Sequence, residues 1–177
     1  MKEIIFKFDK KKATEVILYI ASKTPIPDIY HVLKVLYFAD KKHLERYGRF
    51  VCGDSYVAMG HGPVPSGSYE LINETRTSEL FGASSPFSVK GKGDVVPHKI
   101  EQHRSFDLNM LSESDIECID ESIVENGTLS FGQLKKKSHD KAYESADQND
   151  FISVESIALM LDKPDEILQY LREQTVC

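Results

Sequence analysis

The sequence predicts an α+β fold, mostly α: a helical domain with a small antiparallel β-sheet. Three observations lead there. Apolar residues recur at helical spacing along most of the chain, two Ser-x-x-Asp/Gln boxes mark helix starts, and short strand-like runs lie among Gly and Pro between the helical halves.

Ala13, Val16, Ile17 and Ile20 define a first amphipathic helix over residues 13–22, preceded by Lys10-Lys11-Lys12 and broken by Thr24-Pro25-Ile26-Pro27. Asp28 then caps a second helix, residues 29–47, which Gly48 stops. Ile29, Val32, Leu33 and Leu36 follow the i, i+3, i+4, i+7 rule, with Tyr37, Leu44 and Tyr47 extending the stripe; Val35 and Phe38 lie off it, so this helix is expected to be buried on two sides. Phe50-Val51-Cys52 and Tyr56-Val57-Ala58-Met59 are expected as strands around a Gly53-Asp54 turn. The loop from Gly60 to Gly67 should be rigid and irregular, because glycines free the backbone while Pro63 and Pro65 freeze it. A short helix within 68–77 turns Leu71 and Ile72 inward. Phe87-Ser88-Val89 and Val95-Val96 flank the turn Gly91–Asp94 as a hairpin.

Ser112 with Asp115 forms a capping box, and Leu111 with Ile116 a hydrophobic staple; Ile116, Ile119 and Ile123 line the buried face of the helix they open, up to Gly127. Ser130 with Gln133, and Leu129 with Leu134, repeat the device for a helix ending near Ser138-His139. The polar stretch 147–150 reads as a linker. A helical segment over 153–161 and a helix opened by Pro164, with Ile167, Tyr170 and Leu171 on one side, complete the chain.

The 177 residues suit one domain with a small appendage. No long uninterrupted apolar run suggests a membrane span, and the charged N-terminus does not resemble a secretory leader, so the expected location is the cytoplasm. Cys52, Cys118 and Cys177 are far apart and form neither a disulfide framework nor a cysteine-rich zinc motif. The net charge of −6 conceals a gradient: residues 1–50 carry +5 and residues 101–177 carry −10. Overall acidity argues against nucleic-acid binding. The competing possibility is a degenerate winged helix built from the first two helices and the following hairpin, with the basic N-terminal segment facing phosphate.

Asp40 lies about 20° from Ile29 on the helical wheel, in the middle of the apolar stripe. A carboxylate aimed at a core needs partners. It is expected to find them in the Gly60–Val64 loop, His61 or His139, serving as a structural acceptor. Asp40 and His43 form an i, i+3 pair, and with His61 and His139 they could compose a metal-dependent hydrolase site. No H-x-x-x-H spacing, nucleophile elbow, P-loop or dinucleotide fingerprint is present, so no catalytic residue, cofactor or metal is assigned.

The run Leu33-x-x-Leu36-Tyr37-Phe38-Ala39-Asp40, then Tyr47-Gly48, Gly53-Asp54-x-Tyr56-x-Ala58 and Gly62-Pro63-Val64, resembles the Panacea domain of SocA-like antitoxins and phage-associated proteins. Leu129-Ser130 through Leu134 to Ser138-His139 and Ala142-Tyr143 is similar to the family's second block, with Tyr143 where the family often has Trp. The resemblance covers about residues 10–146. It implies a Panacea-like domain over 1–146, with 147–177 as a helical extension packed on or beside it. It also implies a non-enzymatic binding protein that neutralises a toxin or hands it to a bacterial protease. Tyr37, Asp40, Tyr56, His61, Gly62, Pro63, Val64, His139 and Tyr143 are the motif and partner-binding candidates. The Gly60–Gly67 loop and the acids Glu113, Glu117, Asp120, Glu121 and Glu125 are the expected partner surfaces, the acids steering a basic partner.

Overall fold

The computed structural model describes residues 3–80, 84–91 and 98–174, without the side chains of 78–80. Its elements run α1 (Lys10–Lys23), α2 (Ile29–Tyr47), β1 (Tyr56–Met59), β2 (Gly62–Pro65), α3 (Ser66–Leu80), β3 (Phe87–Lys90) and β4 (Lys99–Gln102). A short 3-10 turn, Leu108–Met110, leads into α4 (Glu113–Asn126), α5 (Phe131–Ser138), α6 (Lys141–Glu144), β5 (Phe151–Ile152), α7 (Val154–Ala158) and α8 (Pro164–Gln174). The fold is mostly α with small antiparallel sheets, as the sequence predicts. No described helix is long and apolar enough to cross a membrane.

The helix ends follow from local chemistry. Asp9 accepts from the Lys12 N–H to open α1, and Asp28 accepts from the His31 N–H to open α2. Gly48, at φ +66°, closes α2 in the left-handed conformation. Both capping boxes form, at Ser112/Asp115 and Ser130/Gln133. Asp54, outside any helix, accepts from the N–H groups of Gly67 and Ser68 and from the Ser68 hydroxyl, capping α3 from a distance.

α2 is the centre of the molecule: every residue from His31 to Asp40 is buried. Val32, Leu33, Val35, Leu36 and Ala39 enter one apolar core with α1, α3, α4 and the β3–β4 hairpin. Tyr37, Phe38 and Leu44 enter a second core with β1, β5, α7 and α8. Ser122 of α4 donates to the Val35 carbonyl at 2.7 Å, so α4 lies hard against α2. The run from His31 to Asp40 is therefore packed on both sides and offers no face to a DNA groove, and the winged-helix alternative gains no support.

The β structure departs from expectation. Phe50–Cys52 is buried coil rather than a strand. The supposed irregular loop contains β2, paired antiparallel with β1 across a Gly60-His61 turn, with Met59 opposite Gly62 and Tyr56 opposite Pro65. Two prolines fit because β2 is an edge strand of the β2-β1-β5 sheet and needs no ladder N–H on its open side. Residues 147–150 feed β5 onto β1, with Ala58 and Asn149–Asp150 exchanging backbone bonds at 2.7 and 2.9 Å. β3 pairs with β4, four residues beyond the predicted second strand; Val95-Val96 lies outside the described residues. Tyr170 does not share the buried side of α8: Leu168 takes that place, and the Tyr170 ring covers Gly48.

Asp40 is fully buried, but its partners are not those expected. The Val51 N–H and the Tyr56 hydroxyl each donate to it at 2.6 Å. These bonds tie the coil after α2, and then β1, back onto the helix. Burial pushes the carboxyl up to about 7, against the lowering effect of both hydrogen bonds. Folding thus favours the acid form, so Asp40's contribution is full below its ordinary value of 3.8 and lost as pH rises to about 7. Denaturant melts across this range should show stability falling with pH, with a flatter profile in Asp40→Asn. Asp40→Ala strands both donors and should cost about 1–3 kcal/mol for each.

Candidate functional site

The nine candidate residues fall into two groups. Tyr37, Asp40 and Tyr56 are interior. The Tyr37 hydroxyl donates to Asp140 at 2.9 Å, where Lys41 also binds at 2.8 Å, and Asp140 caps α6 by accepting the Tyr143 N–H. Burial and the Asp140 charge hold the Tyr37 phenol well above its ordinary range. Tyr37 and Lys41, through Asp140, thus fix the start of α6 against α2, while Asp40 and Tyr56 fix β1.

The second group surrounds the β1–β2 turn. His61 is exposed at the turn, Gly62 and Pro63 are buried, and Val64 is half-buried against the first core. His139 caps the C-terminus of α5 and stacks on Tyr143 with ring centroids 4.2 Å apart. The Tyr143 hydroxyl donates to the Met59 carbonyl at 2.9 Å, joining the two sequence blocks that the family resemblance singled out.

Two further residues complete a surface platform. The Phe131 ring meets Tyr30 at 4.4 Å and His61 at 5.2 Å between centroids, and the Tyr30 hydroxyl donates to the His61 carbonyl at 3.2 Å. Phe131, at the start of α5, is 46% exposed.

Beneath this platform lies Lys34, which the motif reading missed. It is 1% exposed, and among the described residues its only hydrogen bond is to the Pro63 carbonyl. The Tyr30 ring covers its ammonium at 5.2 Å. Burial lowers the amine from 10.5 to about 7. A signal was present, since Lys34 falls about 140° from Ile29 on the wheel, between the inward-facing Tyr37 and Phe38.

Gly62 sits where these groups meet. A Cβ there would lie 2.6 Å from Ser138 Oγ, 3.0 Å from Lys34 Nζ and 3.3 Å from His139 Cδ2. His139 Nε2 is buried and has no hydrogen-bond partner among the described residues. Burial, and then the positive charges of Lys135, Lys34 and His61, lower the His139 imidazole.

The four-residue metal arrangement does not assemble. Asp40 is spent on Val51 and Tyr56. His43 Nδ1 donates to the Arg49 carbonyl, and its Nε2 faces Ser114 and Asp115. Among the described residues no group of three or more His, Cys, Asp or Glu is placed to hold a metal ion. The acidic face of α4 is also largely engaged. Glu117 and Glu121 bind Arg46, Glu125 binds Lys42, and Asp120 meets Lys23. These intramolecular pairs offset the charge expected to steer a basic partner.

Gly62 has φ +107° in addition to its crowded surroundings. Gly62→Ala should therefore lower the thermal midpoint clearly, while Gly132→Ala, with open space around it, should not. A calorimetric comparison of the two variants checks this.

Comparison with known proteins adds a family. The family model described as "Antitoxin SocA-like, Panacea domain" matches residues 32–144, from the buried centre of α2 through α6, and includes all nine candidates. No curated protein and no solved structure matches the chain. The match spans more than half of the sequence, so this chain belongs to the SocA-like antitoxin family with a Panacea domain.

Proposed function

We propose that this chain is a cytoplasmic protein-binding module that neutralises a partner toxin, by itself or by handing the toxin to a protease. Its partner face is the platform of Tyr30, His61 and Phe131. The observation that carries the assignment of this face is an aromatic cluster open to solvent and mounted on well-anchored elements. The Phe131 side chain is nearly half exposed, although the turn and helix that hold it are fixed by Tyr143 and a capping box. Exposed aromatic side chains on a rigid support bind partners at a low ordering cost. Family membership supports an antitoxin role. The salt-bridged surface of α4 contributes solubility rather than recognition.

The test begins with the adjacent open reading frame. Expressed alone it should arrest growth, and co-expression of this chain should restore growth through direct binding. Phe131→Asp should weaken that binding at least about tenfold, a typical loss at an aromatic contact. Its thermal midpoint should stay near that of the parent, because Phe131 contributes little to either core. A neighbouring product that is not toxic, together with pull-downs that recover nothing, contradicts the proposal.

A further inference from the structure

We infer that Lys34 and His139, beneath the His61 turn, form a receptor site for a carboxylate carried by an acidic side chain of the partner protein. The source of the carboxylate rests on the partner-binding reading above; the site itself rests on geometry.

Two other buried acids in this molecule are matched by cations, and a third, Asp40, by two hydrogen-bond donors. Asp115, 0% exposed, is held by Lys12 at 2.6 Å, by Arg49 at 3.1 Å, by His43 and by its own capping box. Glu15 receives two bonds from Arg104 and one from the Asp107 N–H. Lys34 breaks this pattern: it is equally buried, yet it has one carbonyl and an aromatic face, and no carboxylate pairs with it among the described residues. A lysine left in this condition is costly unless something later completes it.

The second observation is independent. His139 Nε2 is buried and unpartnered beside the same glycine. The Lys34 ammonium and the edge of the His139 ring, 3.0 and 3.3 Å from a Cβ placed on Gly62, thus both border this glycine. Both groups can donate, and an anion satisfies both at once.

The covering is slight. Tyr30 closes over Lys34, packed on Phe131 and hydrogen-bonded to the His61 carbonyl at 3.2 Å at an exposed position. The space against Gly62 itself is filled, since a Cβ there would lie 2.6 Å from Ser138 Oγ, so an anion has to reach Lys34 from the Tyr30 side. A carboxylate's two oxygens match the two donors, one each. The apolar faces of Tyr30 and Phe131 provide walls for the methylene stem of an aspartate or glutamate.

The experiment uses the intact chain and acetate as probe. Imidazole resonances of His61 and His139 are followed during acetate titration at constant ionic strength and neutral pH. A saturable shift at His139, with phosphate binding more weakly, is expected. Lys34→Met should weaken acetate at least about tenfold, the loss expected for one charged hydrogen bond. That variant should melt at or above the parent temperature, because an unmatched buried charge has been removed. His139→Phe, which keeps the stack on Tyr143, should weaken acetate without unfolding the protein. No saturable acetate response, an undiminished response in Lys34→Met, or tighter binding of phosphate overturns the proposal. Acetate binding in a chain whose neighbouring frame encodes no toxin preserves the site and removes the antitoxin reading. Rescue of a toxin by a chain that ignores acetate does the reverse.

Discussion

Ten consecutive residues of α2, from His31 to Asp40, are enclosed on every side, and most of the structure answers to that enclosure. A helix wrapped this way cannot turn its polar side chains to water. Each must instead be met by whatever packs nearby. His31 is met by Asp28 through Nδ1 and by the Leu129 carbonyl through Nε2. Asp40 is met by Val51 and Tyr56, and His43, one turn beyond the enclosed run, by the Arg49 carbonyl and Ser114. Each bond fixes a different segment on the helix: the α4–α5 connection, the coil before β1, and the start of α4. The polar residues of α2 are thus the attachment points around which the two apolar cores are arranged.

Lys34 is the one position where this arrangement is incomplete. Removing a partner from a buried charge typically costs about 3–5 kcal/mol. Asp115 shows that this fold can supply several cations to a single buried acid. Burial and His139's empty ring nitrogen place the deficit directly under the exposed aromatic platform. The uncompensated buried amine and the proposed binding face therefore coincide at the β1–β2 turn.

Local chemistry made much of the fold legible. Asp28 and Gly48 delimit α2, and the two capping boxes delimit α4 and α5, because these signals are complete within a few residues. The burial of Asp40 was legible from its wheel angle. Its partners were not, since the Val51 N–H points inward only once Phe50–Cys52 is coil. β2 was obscured by Pro63 and Pro65, which an edge strand tolerates but a composition rule disfavours. β5 is two residues long and owes its existence to β1 rather than to its own pattern. At the site, the motif residues around Gly62 and Tyr143 were legible through resemblance, and the structure brings them together. Lys34 was not, although Val35 and Phe38 already implied burial on two sides. Burial on two sides traps a polar residue of the second side, and Lys34 falls there, between Tyr37 and Phe38.

The most direct measurement of this account is the titration of the Lys34 side-chain amine in the free chain, followed by heteronuclear NMR with the resonance assigned through Lys34→Met. The enclosure of α2, with no carboxylate to offset it, predicts a midpoint of about 7. A midpoint at or above the ordinary lysine value of 10.5 would contradict the account, since it would mean that the charge is already matched or hydrated within the folded protein.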